Sequence, residues 1–213
     1  MKTRPTQVAQ GVLISWSEFV DASATTIRRQ SGYWRDLIER LQKARGYSSK
    51  AVCPWIKLAI FGDLLSNKKS LRHDANVQQI TGIEGDYDGG VMRLEEAVAR
   101  LKAAGILAVV YTSPSHTADR PRWRVLALCS KALQPGARAA LVARINGVLG
   151  GILANESFTL SQSYYYGAVT GTEYRVLTTF GDPDKGEYID LLDELDDGAI
   201  GKRTKSKTPT SKA

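Results

Sequence analysis

Two aspartates separated by a single residue lie near the middle of the chain, in the stretch ITGIEGDYDGG at residues 80–90. Side chains two positions apart on a β-strand lie on the same face, so Asp86 and Asp88 should project together. Like charges this close repel and raise each other's pKa, which favours a cation between them. Because Mg²⁺ is commonly bound through one or two carboxylates and substrate phosphates, the motif predicts a divalent metal site. The alternative is a surface turn, since DGG is also good turn sequence.

A second polar segment, YTSPSHTADRPRWRV at residues 111–125, carries groups suited to a triphosphate. Arginine offers forked donors to phosphate oxygens, and Arg122 and Arg124 should point the same way on a strand. Hydroxyl and imidazole groups nearby complete the candidate nucleotide ligands: Ser113, Ser115 and His116. An ordinary loop histidine and a solvated strand face are the alternatives.

A third segment, ANESFTLSQSYYYGAV at residues 154–169, adds further polar and aromatic groups. Glu156 is a candidate third carboxylate, with Asp190 and Asp193 in reserve, and Gln162 is a candidate ligand for sugar or phosphate. An outward-facing tyrosine of the run 164–166 is suited to stacking on a base.

The elements that must position these groups alternate from residue 79 onward. Helical periodicity, a continuous β-rich run and strand alternation follow one another in the order β-α-β-β-α-β, which is the split β-α-β arrangement. We therefore predict an α+β fold with strands one and three central and adjacent. The helical stretches are RLEEAVARLKAAG and PGARAALVARINGVLGG, and the strands are QQITGIEGDYD, ILAVVYTS, RWRVLALCS and SQSYYYGAVTG.

The remaining segments are assigned around this unit. Ser15 and Glu18 have the spacing of a capping box, and with YWRDLIERLQKARG they predict helix over residues 14–45. We expect residues 1–79 to be mainly helical, residues 80–195 to form the split β-α-β unit, and residues 196–213 to form a disordered basic tail.

Composition limits the alternatives. The chain has 213 residues, of which 43% are hydrophobic, so it is long enough for one sizeable domain. No apolar run reaches the ~18–20 residues of a membrane span, and the N-terminus lacks the apolar core of a signal peptide, which predicts a cytoplasmic protein. The net charge is +7, but five of those charges lie in residues 201–213 and leave +2 for the rest. Cys53 and Cys129 are expected to be buried free thiols.

The three motifs together resemble the archaeo-eukaryotic primase superfamily, the primase-polymerases of plasmid and phage replication. The resemblance covers residues 80–195 and involves GDYDGG, SPSHT followed by RPRWRV, and NESFTLSQSYYYG. It implies that residues 80–195 form a palm like an RNA-recognition motif, with residues 1–79 as a mainly helical accessory lobe. It also implies that Asp86, Asp88 and Glu156 are catalytic metal ligands. It also implies that His116, with Ser113 or Ser115, contacts the phosphates of the incoming nucleotide.

The resemblance further implies an activity and partners. The reaction would be nucleotidyl transfer from nucleoside triphosphates, templated by single-stranded DNA, with two Mg²⁺ or Mn²⁺ ions. Contacts to the DNA backbone would come from Lys68, Lys69, Arg72 and the basic tail, and a replicative helicase would be fused or recruited in trans. No membrane is expected to take part.

Two other interpretations remain open from the sequence. DYDGG followed by LAVVYTS is similar to haloacid-dehalogenase phosphatases, but Gly90 replaces their threonine and RPRWRVLAL predicts an antiparallel strand next. The other interpretation is a non-catalytic origin- or RNA-binding module on the same fold. Such a module needs no carboxylate pair, and two aspartates would repel nucleic acid.

Overall fold

Two antiparallel sheets and three α-helices make up the fold, in a computed structural model that describes residues 11–204. The small sheet has the strand order β2-β1-β3-β8. Its strands are β1 (Ile14–Phe19), β2 (Ile27–Gly32), β3 (Trp55–Lys57) and β8 (Tyr164–Tyr165). All of its pairings are antiparallel.

The large sheet has the strand order β4-β5-β7-β6-β9, and its pairings are also antiparallel. Its strands are β4 (Ala59–Phe61), β5 (Val77–Tyr87), β6 (Ala108–Thr112), β7 (Trp123–Leu133) and β9 (Val176–Thr178). The helices are α1 (Trp34–Lys43), α2 (Leu94–Ala103) and α3 (Arg138–Val148).

Alternation along the large sheet sends its apolar residues to two separate cores. In β6, Ala108 and Val110 pack in the cluster that includes residues of α2 and α3. Val109 and Tyr111, on the opposite face, pack in the cluster that includes residues of α1 and the small sheet. Because both faces are covered, the central strands are buried on both sides. The polar ends of β5 and β7 are therefore carried by strands that are packed on both faces.

The predicted order is present for five of its six elements, namely β5, α2, β6, β7 and α3. β5 and β7 are adjacent, as expected, with Asp86 opposite Arg124. The sixth element is wrong, because the SQSYYYG segment contributes only the short β8, which pairs with β3 in the small sheet. β4, from upstream in the chain, occupies the place beside β5. The pairing of β8 with β3 is supported by packing of Trp55 against Tyr165, whose ring centroids are 4.0 Å apart.

The predicted helix over residues 14–45 is wrong for its first half. The prediction that residues 1–79 are mainly helical is also wrong for the residues that the structure describes there, which contain four complete strands and one α-helix. Residues 14–32 contain β1 and β2, and helix begins only at Trp34. β1 is nearly buried on both faces, since Ile14 and Trp16 enter one core and Phe19 the other. This burial outweighs the local capping-box signal, because tertiary packing routinely overrides helix propensity.

Several smaller expectations have clear outcomes. Cys53 and Cys129 are free and buried, as predicted. Residues up to Arg203 pack on the fold, since the backbone N–H of Ile200 donates to Ala143 and that of Arg203 donates to Asn155, so the predicted tail does not begin at residue 196. The tail residues 205–213 lie outside the described residues. None of the helices within residues 11–204 has the length and apolarity to cross a bilayer.

Candidate active site

β5 and the residue that follows it carry three carboxylates at alternate positions, and their exposure rises along the chain. The side chain of Glu84 is 0% exposed, that of Asp86 is 13% exposed and that of Asp88 is 54% exposed. The residue between the aspartates, Tyr87, is buried. Asp86 and Asp88 line the same cavity, so they project to the same side, as predicted.

Asp86 forms an ion pair with the strand beside it. The Nε of Arg124 donates to Asp86 Oδ1 at 2.9 Å, and one terminal nitrogen of Arg124 donates to the carbonyl of Tyr165 at 2.8 Å. Burial raises the pKa of Asp86, with a further rise from Asp88, whereas Arg124 opposes both. The sequence suggested that the positive charge beside Asp86 would be a metal, but Arg124 already supplies part of it. Two of the three guanidinium nitrogens of Arg124 therefore have hydrogen-bond partners within the protein.

Tyr87 fixes the loop that carries Asp88. Its hydroxyl accepts hydrogen bonds from the backbone N–H groups of Val91 and Met92, at 2.9 and 2.8 Å. Its ring stacks on Trp123, with centroids 4.7 Å apart. A Cβ at Gly89 would lie 2.6 Å from the Tyr87 ring. Gly89 therefore lets the chain fold back over this tyrosine.

A cavity of about 240 Å³ opens beside the two aspartates. Five of the residues predicted from three separate motifs line it: Asp86, Asp88, Arg124, Glu156 and Gln162. The other lining residues are Trp55, Ala154, Ser163, Tyr164 and Tyr165. We call this the acid cavity. With three carboxylates against one arginine, its lining carries net negative charge and suits a cation.

The turn that carries Glu156 is attached directly to β5. The backbone N–H of Asp86 donates to Ser157 Oγ at 3.0 Å, and the N–H of Ala154 donates to the carbonyl of Asp86 at 2.9 Å. Glu156 itself is exposed on the 3₁₀ turn Asn155–Phe158. Because these bonds join the turn to the strand, the third motif is held at the acid cavity.

A fully buried charge cluster lies behind the acid cavity. Glu84 accepts hydrogen bonds from Lys57 Nζ and, at 2.8 Å, from a terminal nitrogen of Arg138. Another terminal nitrogen of Arg138 donates to the carbonyl of Ser157 at 2.6 Å. Burial is the main cause that lowers the pKa of Lys57 to about 7. The charge of Arg138 also lowers it, whereas the charge of Glu84 partly offsets the decrease. The cluster joins β3, β5, α3 and the turn of Glu156.

His116 faces a different cavity from the aspartates. That cavity has a volume of about 160 Å³ and is lined by Arg93, Leu94, Glu95, His116, Ala118, Pro121, Glu173 and Arg175. The Nδ1 of His116 accepts from the backbone N–H of Arg122 at 3.1 Å, so a neutral His116 carries its proton on Nε2. The Nε of Arg122 lies 3.9 Å from Asp88 Oδ1. Arg122 therefore stands between the two cavities.

The two serines predicted beside His116 differ in their access to a ligand. Ser113 is 3% exposed, and its carbonyl accepts from the N–H of His116, so it builds the turn and is withdrawn from solvent. Ser115 is exposed. Of the pair, only Ser115 presents its hydroxyl to a ligand.

The reserve carboxylates serve other contacts. Asp190 accepts from both the backbone N–H and the hydroxyl of Ser130, at 2.7 and 2.6 Å. Asp193 pairs with Arg144 at 2.7 Å. Neither lines the acid cavity, so Glu156 remains the third carboxylate candidate.

The predicted nucleic-acid contacts lie on the segment between β4 and β5. Lys68 and Lys69 are exposed. Arg72 is half-buried, with its guanidinium 4.3 Å from the ring centroid of Trp55 and a 3.0 Å hydrogen bond to Ser163 Oγ. Because Trp55 and Ser163 line the acid cavity, this segment forms part of its rim.

The fit to a divalent metal is partial. Among residues 11–204, no three side chains of the Asp, Glu, His and Cys types are grouped closely enough to hold a metal. The predicted triple set of Asp86, Asp88 and Glu156 is therefore not assembled, since Arg124 holds Asp86 and Glu156 stands on an exposed turn. Asp86 and Asp88 still fit Mg²⁺, which usually keeps several waters and takes one or two protein carboxylates.

Sequence reasoning missed several residues of both cavities. Trp55 lines the acid cavity, and its buried Nε1 has no hydrogen-bond partner among the described residues. Lys50 lies 4.8 Å from the ring centroid of Tyr165, which lines the acid cavity, and its charge offsets part of the rise in the pKa of Asp86. Arg93 and Arg175 line the His116 cavity. No local pattern marks these four residues: Arg93 and Arg175 lie just outside the motif segments, and Lys50 and Trp55 come from a part of the chain distant from them.

Comparisons with known proteins give one match. No protein-family model matches the chain, and no curated protein matches it. Among solved structures, the chain is similar to the AEP domain of the primase-polymerase of cyanophage S-2L, at 12% sequence identity and a TM-score of 0.45. The similarity covers 85% of this chain and 87% of that one. A TM-score of this size does not establish a shared fold, so the functional proposal rests on the geometry of the site.

Proposed function

We propose that this protein is a primase-polymerase, which transfers nucleotides from nucleoside triphosphates onto a growing strand templated by single-stranded DNA. The observation that carries the proposal is the acid cavity, where residues from three distant motifs line one surface. A plasmid or phage replication system is the setting that the sequence resemblance suggests. In this proposal residues 80–195, together with β4 and the start of β5, form the catalytic palm, because those strands belong to the same sheet. The rest of residues 1–79 would form the accessory lobe, and a helicase would act in the same chain or in trans.

Asp86 and Asp88 would hold the divalent ions, with Glu156 completing the set when substrate is bound. When bound, two Mg²⁺ or Mn²⁺ ions would supply activation of the attacking 3′-hydroxyl and stabilisation of the leaving pyrophosphate. The raised pKa of Asp86 accords with this role, because a desolvated carboxylate is stabilised by a cation. Arg124 orients Asp86 through its 2.9 Å bond.

The volume of the acid cavity limits what it holds. Pockets for drug-sized ligands occupy about 300–1,000 Å³, whereas the acid cavity has about 240 Å³. It therefore suits hydrated ions and one phosphate, and the rest of the nucleotide must extend beyond it.

The neighbouring His116 cavity would take the terminal phosphates, with Arg93, Arg175 and the Nε2–H of His116 as donors. Glu95 pairs with Arg175 and Glu173 lies 4.0 Å from His116 Nε2, so both carboxylates would have to move aside. Arg122, Ser115 and Gln162 are the further nucleotide contacts.

The template would cross the rim of the acid cavity. Lys68, Lys69 and Arg72 offer positive charge there, and contacts of lysine and arginine to phosphates make DNA binding depend strongly on salt. Arg72 is anchored on Trp55, which places its charge at the cavity.

A primer-synthesis assay tests the proposal. The protein is incubated with a single-stranded oligonucleotide, labelled ribo- or deoxyribonucleotides, and Mg²⁺ or Mn²⁺, and the products are separated on a denaturing gel. Asp88→Asn should lower the synthesis rate more than about 100-fold, as loss of a transition-state contact does. Asp184→Asn, at an exposed aspartate on the turn Pro183–Lys185, is the matched control and should stay within about twofold.

Two results would contradict the proposal. One is product from an Asp86→Asn, Asp88→Asn double variant at the wild-type rate. The other is wild-type protein that makes no product with either metal and binds DNA equally well with and without divalent ions, which would favour the non-catalytic module. The phosphatase interpretation is disfavoured, because β7 is the antiparallel neighbour of both β5 and β6.

A further inference from the structure

The segment between β4 and β5 exposes two adjacent leucines. We call residues 62–73 the rim loop. Leu64 is 56% exposed and Leu65 is 54% exposed. Single exposed apolar residues are common on protein surfaces and need no explanation. Two adjacent leucines on one loop, next to a proposed active site, do need one.

The rim loop is a built structure. The buried side chain of Asn76 accepts from the N–H of Leu64 at 2.9 Å and donates to the carbonyls of Gly62 and Leu71, at 3.1 and 2.6 Å. His73 Nε2 lies 2.9 Å from the carbonyl of Leu64. These bonds fix the backbone at Leu64, so the adjoining leucines are held outward by the fold.

The rim loop is also attached to the acid cavity. Arg72 lies over Trp55 and donates to Ser163, as described above, and both partners line that cavity. The N–H of Ser161 donates to Asp74 Oδ1 at 2.9 Å, just after the loop. His73, next to Arg72, contacts the carbonyl of Leu64, so the leucines lie on the side of the molecule where Arg72 borders the acid cavity.

The charge of the rim loop favours nucleic acid as the partner. Three of its side chains are basic and one, Asp63, is acidic, and Asp63 pairs with Arg29 at 2.6 Å. Lys68 and Lys69 therefore stand close in sequence to the leucines with their charge available. Proteins that open or kink nucleic acid often insert apolar side chains such as leucine between bases while basic side chains hold the phosphates.

We propose that Leu64 and Leu65 form an apolar wedge that contacts the base pair at a junction of single- and double-stranded DNA, with Lys68 and Lys69 on the adjacent phosphates. This inference rests on the proposed function, because it assigns the partner of the same site. It goes beyond that function by giving the protein a preference for primer–template junctions over plain single strands.

Binding measured without nucleotides tests the wedge separately from synthesis. The probes are a fluorescein-labelled single strand and a duplex with a 5′ single-stranded extension, which carries 2-aminopurine in the pair at the junction. The variants are Leu64→Ser with Leu65→Ser, and Lys68→Gln with Lys69→Gln. The control is Leu191→Ser, at a leucine that is also 54% exposed but lies on the turn Ile189–Leu191.

The wild type and the control should bind the junction more tightly than the single strand and raise the 2-aminopurine fluorescence. The leucine variant should lose about tenfold in junction affinity, as loss of buried apolar surface does, and lose the fluorescence rise. Its affinity for the single strand should stay within about twofold, with the same salt dependence. The lysine variant should weaken binding to both probes and reduce the salt slope by about 1–2.

Junction binding and fluorescence unchanged in the leucine variant would overturn the inference. So would a leucine variant that changes only self-association in sedimentation, since the pair would then be a protein contact. Failure of the proposed function gives a different pattern, namely leucine-dependent junction binding with no synthesis. Synthesis with leucine-independent junction binding would leave the function standing and remove the wedge.

Discussion

Glu84 and Asp86 lie two residues apart on the same face of β5, yet their surroundings differ sharply. Glu84 is completely buried and has two cationic partners, Lys57 and Arg138. Asp86 has one cationic partner, Arg124, and lines a cavity. The strand therefore carries one carboxylate whose charge is compensated within the protein and one whose charge is compensated only in part.

The difference separates a structural carboxylate, Glu84, from the carboxylate to which the proposed function assigns metal binding, Asp86. A buried charge is tolerated when it is paired and hydrogen-bonded, and Glu84 meets that condition. Asp86 keeps a raised pKa, which a further cation would relieve. On this account Glu84 determines stability, whereas Asp86 and Asp88 determine activity.

The largest expected effect on stability is at Glu84. Glu84→Ala leaves Lys57 and Arg138 buried without their shared partner, and breaking a buried ion pair in this way costs about 3–5 kcal/mol. Urea unfolding measures the loss. Glu96→Ala is the control, because Glu96 forms an exposed pair with Arg100 and should change the free energy of unfolding by less than about 0.5 kcal/mol. If Glu84→Ala lowered the free energy of unfolding as little as Glu96→Ala, Glu84 would not be the structural carboxylate of the strand.

The next effect is a pH dependence that comes from Lys57. Its folded pKa of about 7 lies below the value of about 10.4 in an unfolded chain. Between these values the unfolded chain binds more protons, so stability rises with pH, by at most about 1.4 kcal/mol per pH unit. Lys57→Met should lack this rise. Urea unfolding from pH 6 to pH 10 compares the two proteins, and equal slopes would contradict a buried, easily deprotonated lysine.

A smaller effect is expected at Tyr87, between the two aspartates. Tyr87→Phe keeps the ring on Trp123 but removes the acceptor of two backbone N–H groups. Leaving such donors unsatisfied costs about 1–3 kcal/mol. The same variant should reduce synthesis, because the loop of Asp88 loses its anchor. Unchanged unfolding and synthesis together would show that this hydroxyl does not position the loop.

The smallest effect on stability is expected at Asp88. Its side chain is 54% exposed, and its nearest cation, Arg122, is 3.9 Å away. Asp88→Asn should change the free energy of unfolding by less than about 0.5 kcal/mol while lowering synthesis strongly. Urea unfolding of this variant sharpens the comparison with Glu84. A large loss of stability would make Asp88 structural as well.

The sequence predicts what depends on local pattern. Alternation along β5 was enough to place Asp86 and Asp88 on one face, and the neighbouring strand order put Arg124 beside them. Glu84 shares that alternation, but its role was not recognised, because Lys57 and Arg138 come from distant parts of the chain.

The errors have the same origin. At β1, the spacing of Ser15 and Glu18 suits a helix start, but burial of the strand on both faces decides the structure. At β8, the tyrosines suit a strand, but pairing with β3 takes them to the other sheet. In both places a long-range contact outweighs a correct local signal.

The most direct test of the central claim is anomalous diffraction from crystals soaked with Mn²⁺ and a nucleoside triphosphate. The account predicts manganese at the oxygens of Asp86 and Asp88, within about 2.0–2.6 Å as for divalent ions on carboxylates, with a phosphate oxygen in the same coordination shell. Nucleotide bound elsewhere on the molecule, with no manganese at these two side chains, would contradict it.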